Sequence, residues 1–69
     1  MAEKFIVVFK DNVTPDVIDR YAARVEELGG MMIHRYDGTT LNGFAADLTE
    51  QCLTSLQGDD LIDYVEPSD

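Results

Sequence analysis

Residues 4–10 of the 69-residue chain read Lys4-Phe5-Ile6-Val7-Val8-Phe9-Lys10. This run is rich in β-branched and aromatic residues and is followed by the turn-forming pair Asp11-Asn12, a pattern that predicts a β-strand. Successive side chains of a strand point to opposite faces, and both sets are apolar here. We therefore expect a strand inside a sheet, with apolar side chains on both of its faces.

Two helices are predicted from capping residues and apolar spacing. The first begins with Thr14-Pro15-Asp16, which supplies an N-cap, a proline at the first helical position and an acid at the positive end of the helix dipole. It ends at Gly29-Gly30. The second begins after Thr49 and ends at Gly58. The predicted buried faces consist of Ile18, Tyr21, Ala22, Val25 and Leu28 in the first helix, and of Cys52, Leu53 and Leu56 in the second.

Three further strands are predicted over residues 31–36, 44–48 and 61–66, the last ending before Pro67. The resulting order, βαββαβ, is that of the ferredoxin-like fold. We therefore expect an α+β two-layer sandwich in which a four-stranded antiparallel sheet carries both helices on one face. Residues 1–69 are predicted to form a single domain.

The other face of the predicted sheet is left bare. Either Ile6 and Val8 or the alternate set of Phe5, Val7 and Phe9 lies on this face. An uncovered apolar patch on a small acidic protein is commonly a binding surface. We therefore expect this face to bind another protein.

The composition excludes several classes of function. Five Lys and Arg residues against fourteen Asp and Glu residues give a net charge of −9 at pH 7, which repels nucleic acids and anionic lipids. The longest apolar run, residues 5–9, is too short for a membrane span or a signal-peptide core. Cys52 is the single cysteine, so no internal disulfide can form. We expect a cytoplasmic protein that binds neither nucleic acid nor membrane.

No residue pattern predicts catalysis. His34, the only histidine, has no partner at a catalytic or metal-ligand spacing and is expected at the sheet surface. Cys52 is expected to be a buried, unreactive thiol. The acids lack the spacing of a calcium loop, and the glycines lack that of a phosphate-binding loop. We therefore expect neither an enzyme nor a metal or other cofactor.

Four segments of the chain occur in an order and spacing that are fairly specific. They are residues 4–10, Gly29-Gly30, Gly43-Phe44-Ala45-Ala46-Asp47-Leu48-Thr49 and Leu61-Ile62-Asp63-Tyr64-Val65-Glu66. Together they resemble the subtilisin propeptide-like inhibitor family, which includes the propeptides of subtilisin proteases and small fungal inhibitors of serine proteinases such as proteinase B. The resemblance implies that the open sheet face packs on two surface helices of a subtilisin-type protease, while the C-terminal tail lies along the substrate cleft.

The resemblance also implies roles for particular residues. In the family a carboxylate just after the last strand caps a helix of the protease, and the matching residue is Glu66. A second acid often follows two residues later, where this sequence has Ser68, and further residues then fill the substrate subsites, whereas Asp69 is the last residue here. A short tail is expected to weaken inhibition. The predicted protease-binding residues are Glu66, Pro67, Ser68 and Asp69, together with Ile6 and Val8 or their neighbours of opposite parity.

Two functions from different classes follow from these observations. The first is a non-enzymatic inhibitor of a subtilisin-like serine protease, monomeric when free, which also assists folding of the protease as propeptides do. The alternative is a self-associating or regulatory interaction module in which two bare sheet faces pack together. A protease titration combined with sedimentation distinguishes a 1:1 complex from a dimer that ignores proteases.

Overall fold

The computed structural model describes residues 3–68 and contains six elements. They are β1 (Glu3–Phe9), α1 (Pro15–Glu27), β2 (Met31–Arg35), β3 (Gly43–Leu48), α2 (Glu50–Leu56) and β4 (Ile62–Pro67). The strands form one antiparallel sheet in the order β2-β3-β1-β4, so β1 and β3 are central and β2 and β4 are its edges. The predicted ferredoxin-like α+β sandwich is confirmed. Neither helix within residues 3–68 has the length and apolar character needed to cross a membrane.

The helix boundaries follow the predicted caps, with one difference at Thr14. α1 has Thr14 at its N-cap and Pro15 at its first position, but the Thr14 side chain accepts no capping hydrogen bond. Interaction with the Thr14 hydroxyl, and with the backbone amides of Asp16 and Val17, lowers the pKa of the Asp16 carboxyl. Thr49 caps α2 as predicted, because its hydroxyl oxygen accepts from the Cys52 amide at 3.2 Å. Gly29 ends α1 with a φ of 92°, a conformation that glycine adopts without steric cost.

The structure decides which apolar set of β1 faces the helices. Val7 and Phe9 are buried in the core, so Ile6 and Val8 lie on the opposite, open face of the sheet. The Phe9 ring packs against the edge of Tyr21, with ring centroids 5.1 Å apart and an angle of 77° between the planes. The other buried members of the core are Val13, Ile18, Val25, Phe44, Ala46, Leu48, Cys52 and Leu56. All core residues therefore lie between one sheet face and the two helices.

β1 and β3 approach each other most closely at Gly43. A Cβ atom at this position would lie 1.9 Å from the Val7 carbonyl oxygen and 3.2 Å from the Val8 Cα. The preceding residue, Asn42, donates from its side-chain amide to the carbonyls of Lys10 and Val13, each at 3.0 Å. The pair Asn42-Gly43 therefore does more than form a turn, because it also fixes the loop after β1 and permits the close strand pairing.

The boundaries of β1 and β4 differ from the predicted ranges, residues 4–10 and 61–66, by one residue at each end. β1 begins at Glu3 and ends at Phe9, since the Lys10 carbonyl instead accepts from the Val13 amide at 3.0 Å in the following turn. The sequence predicts that β4 ends before Pro67, but Pro67 pairs with Phe5, and the Ser68 amide donates to the Lys4 carbonyl at 2.9 Å. Because backbone N–H directions alternate along a strand, the nitrogen of Pro67 points to the free edge, where proline loses no ladder hydrogen bond.

Replacement of Gly43 by alanine tests the close approach of the two central strands. We expect Gly43→Ala to lower the free energy of unfolding by about 3 kcal/mol or more, because the added methyl group clashes with backbone that cannot move without disturbing the β1–β3 pairing. Gly58→Ala is the matched control: its Cβ has no neighbour within 4 Å, and only its φ of 77° is unfavourable, at about 1–2 kcal/mol. Denaturant unfolding measures both losses, and equal losses would contradict the packing argument.

The Tyr21 side chain generates a prediction about alkaline pH. Its hydroxyl donates to Asp59 Oδ2 at 2.5 Å, and this hydrogen bond, with a smaller contribution from desolvation, raises the pKa of Tyr21. The hydrogen bond from Tyr21 to Asp59 therefore contributes fully to the free energy of unfolding below the ordinary tyrosine pKa of about 10. This contribution is lost as the pH rises through the higher pKa that Tyr21 has in the folded state.

We expect the stability difference between the unmodified chain and Tyr21→Phe to be constant from pH 7 to 9 and to shrink above about pH 10. Urea denaturation across this range measures it. Tyr64→Phe, which removes the hydroxyl group of an exposed tyrosine, serves as the matched control for the substitution. A difference for Tyr21→Phe that stays constant to pH 11.5 would rule out the bond to Asp59 as its source.

Candidate functional site

The open face is the sheet surface opposite α1 and α2. The strand register places on it Ile6 and Val8 from β1, Tyr64 and Glu66 from β4, Ala45 and Asp47 from β3, and Met31 and His34 from β2. Side chains from all four strands therefore share one surface that neither helix covers.

Three of the residues predicted to bind a partner lie together on the part of the open face formed by β1 and β4. Ile6 is directly opposite Glu66, and Val8 is directly opposite Tyr64, so that both pairs are cross-strand neighbours. Val8 is only 6% exposed and has little surface to offer, whereas Tyr64 is 42% exposed and Ile6 is half-buried. The exposed apolar surface on the β1–β4 part of this face therefore comes from Tyr64 and Ile6.

The far end of the open face carries further apolar surface on β2. Met31 is 59% exposed and pairs with Asp47, while Ile33 is 49% exposed at a bulge between Met32 and His34. A bulge inserts an extra residue and breaks the alternation of faces, so these positions cannot be assigned to a face from the sequence alone. Tyr64 was not among the predicted binding residues. Its face could have been predicted, because it lies two residues before Glu66 in the same strand.

The C-terminal segment continues the strand geometry of β4. Glu66 and Pro67 are exposed, Ser68 is half-buried, and all three remain extended alongside the start of β1. The alternation of the ladder directs the backbone groups of Val65 and the carbonyl of Pro67 to the free edge of the sheet. An extended segment with a free edge can pair with another strand. Asp69, the fourth predicted tail residue, lies outside the described residues.

The carboxylate of Glu66 is available for a partner. Its cross-strand neighbour is the apolar Ile6. Within residues 3–68 the one ion pair joins Arg35 Nε to Asp19 Oδ1 at 3.1 Å, on the helix side of the sheet. Glu66 is thus an exposed acid next to apolar surface. Its carboxylate can accept a hydrogen bond from a donor on another molecule.

The residues with other chemistry occupy structural positions. His34 is exposed at the sheet surface, as predicted. Its ring and that of Tyr36 form an edge-to-face pair with ring centroids 4.8 Å apart. Cys52 is fully buried, as predicted; its sulfur lies 3.4 Å from the Val25 carbonyl oxygen and accepts from the Thr49 hydroxyl at 3.2 Å. Among the described residues, no three His, Cys, Asp or Glu side chains are grouped closely enough to hold a metal ion.

Comparison with known proteins assigns the family. Residues 4–69 match the family described as peptidase inhibitor I9. Two proteins of Pleurotus ostreatus, serine proteinase inhibitor IA-1 and serine proteinase inhibitor IA-2, are each 43% identical to this chain over 67 residues, which cover 94% of this chain and 88% of theirs. The chain therefore belongs to the peptidase inhibitor I9 family, whose domain is of the subtilisin propeptide type. The resemblance drawn from the sequence is confirmed, and the chain belongs with inhibitors rather than with enzymes.

The burial of Cys52 predicts an inert thiol. We expect a disulfide exchange reagent such as dithionitrobenzoate to label native Cys52 at least about 100-fold more slowly than the unfolded chain, since reaction requires opening of the core. The absorbance of the released thiolate measures the rate, with the same protein in denaturant as the control. Labelling at equal rates in the two states would contradict the packing of α2 against the sheet.

Proposed function

We propose that the chain inhibits a subtilisin-like serine protease by docking its open face on the protease and directing the segment from Glu66 to Asp69 towards the substrate cleft. The observation that carries the proposal is the continuity of one surface: an uncovered apolar sheet face leads directly into an exposed acid and an extended C-terminal segment. Membership of the inhibitor family supports the class of target.

The docking contact would centre on Tyr64 and Ile6. Tyrosine supplies a large contact area with few rotatable bonds, and such residues often dominate the free energy of an interface. Burial of apolar surface contributes about 25 cal/mol per Å² before the costs of association are subtracted. Met31, at the other end of the open face, would extend the contact across the sheet.

Glu66 would contribute through electrostatics rather than through area. The first amides of a helix lack partners within the helix, and the helix dipole places positive charge there. A carboxylate at such a site contributes about 0.3–2 kcal/mol. Because the adjacent residues already form an extended strand, the segment can then continue into the cleft by strand pairing, as an extended substrate would.

The free inhibitor is proposed to be a monomer. Packing two open faces together would bring two chains of charge −9 into contact. Like charges in an interface oppose association. Self-association through this face, the alternative drawn from the sequence, is therefore disfavoured by its charge.

Folding assistance would follow from the same contact. A partner that binds the folded protease but not the unfolded protease stabilises the folded protease by mass action. The gain in the protease's free energy of unfolding grows with the logarithm of the ratio of the partner's concentration to its Kd. Propeptide-like chaperone activity would thus need no site beyond the open face. It would appear as a higher yield of active protease when a denatured subtilisin is refolded with the chain present.

Titration of a subtilisin with the chain tests the proposal. We expect competitive inhibition and a 1:1 complex of the two proteins by sedimentation. Tyr64→Ala should raise the inhibition constant by roughly 30-fold, as for a tyrosine that anchors an interface, and Glu66→Gln by about 2- to 30-fold.

Glu26→Gln provides a matched control, since it also removes one exposed acid but lies on α1, on the far side of the sheet. It should leave the inhibition constant unchanged within about twofold, because exposed rim charges contribute little. Failure of the unmodified chain to inhibit or bind the protease would reject the function. A concentration-dependent dimer without protease binding would favour the interaction module instead.

A further inference from the structure

We propose that Asp59 positions β4 for protease binding, by tying the turn before this strand to α1 and so fixing which β4 side chains reach the open face. The inference rests on the proposed function, since the strand concerned carries Tyr64 and Glu66. Asp59 itself is half-buried, and its side chain bonds to Tyr21 and to the Leu61 amide rather than to residues of the open face.

β4 is held less firmly than the central strands β1 and β3. It is an edge strand that pairs only with β1 among the described strands. Of its residues, Ile62 and Val65 are half-buried and the remaining four are exposed, so none is fully buried. Strands with little buried surface open at low free energy. The position of β4 must therefore depend strongly on the contacts at its two ends.

The carboxylate of Asp59 makes the main contact at the first end. Its Oδ2 accepts from the Tyr21 hydroxyl at 2.5 Å, and its Oδ1 accepts from the Leu61 amide at 2.9 Å. Its backbone carbonyl also accepts from the Ile62 amide at 3.2 Å. One residue thus connects α1 with Leu61 and with Ile62, the first residue of β4. Because the Tyr21 ring is itself packed against Phe9, the connection is anchored in the core.

The contact matters because β4 contains a bulge. The pairing passes from Val8 opposite Tyr64 to Phe9 opposite Ile62, which leaves Asp63 as an extra residue. An irregularity of this kind is where a strand can change its register. If residues 64–67 shifted by one position relative to β1, the side chains of Tyr64 and Glu66 would point to the helix side instead of the open face.

Fixing the start of β4 opposes such a slip. The Leu61 amide is held by Asp59, and the Leu61 carbonyl accepts from the Lys10 amide at 3.0 Å. The other end is held by the bond between the Ser68 amide and the Lys4 carbonyl. With both ends fixed, the strand cannot slip as a whole, and the observed bulge at Asp63 gives the register that presents Tyr64 and Glu66 to a partner.

Asp59→Ala tests the positioning role, with Ile18→Val as a control of similar stability loss in the core. Both variants are compared under conditions in which circular dichroism shows them to be folded. NMR contacts between β4 and β1, across the pairs Ile6–Glu66 and Val8–Tyr64, report the register without any protease. Titration of a subtilisin reports the inhibition constant.

We expect Asp59→Ala to weaken the β4–β1 contacts while the β1–β3 contacts persist, and to raise the inhibition constant by about 10-fold, the effect of one charge-assisted hydrogen bond. Tyr21→Phe, which keeps the bond to Leu61, should act in the same direction with a smaller effect. Ile18→Val should leave both the register and the inhibition constant unchanged within about twofold, because the folded chain retains its surface.

Unchanged β4–β1 contacts in Asp59→Ala, or an equal rise of the inhibition constant in Ile18→Val, would overturn the inference. So would a lost register with undiminished inhibition. If the unmodified chain does not inhibit the protease, the proposed function fails, and the register measured in the free chain alone decides whether Asp59 positions β4.

Discussion

β1 pairs with β3 on one side and with β4 on the other, and the rest of the structure depends on this double pairing. It places Val7 and Phe9 under the helices and Ile6 and Val8 on the open face, with the burial of the first set driving the packing of α1 and α2. The pairing with β3 is possible only because Gly43 has no side chain where it meets the Val7 carbonyl. A single strand with apolar residues at both parities thus supplies both the core and the surface left uncovered.

The uncovered surface explains why a chain without catalytic or metal-binding groups among its described residues can still have a specific function. Specificity at such a surface comes from a few exposed residues rather than from a cavity. Tyr64 and Met31 provide exposed apolar area, and Glu66 provides one charge that the described ion pair does not neutralise. These features suit a broad contact with another folded protein, as expected for a member of an inhibitor family.

Local sequence signals predict the elements of this fold well, but they do not predict its irregularities. Thr49 and the glycines after both helices mark boundaries because each acts through contacts within a few residues. The bulges opposite β1 and β3 depend on pairing between distant segments, so the exposure of Ile33 could not be inferred. Val8 illustrates the same limit, since alternation pairs it with Ile6 but gives neither the face that the two share nor the burial of Val8 by neighbours on that face.

The strand that carries the proposed binding residues illustrates a general conflict between stability and access. Covering β4 with a helix would stabilise it, but would hide Tyr64 and Glu66 from a partner. Its free edge must also stay open if the following residues are to pair with a substrate cleft, although an open edge invites pairing with other copies. Pro67 limits such pairing, since it offers no N–H to the edge. The remaining means of fixing the strand are contacts at its ends, which the Asp59 carboxylate and the Ser68 amide provide without covering the open face.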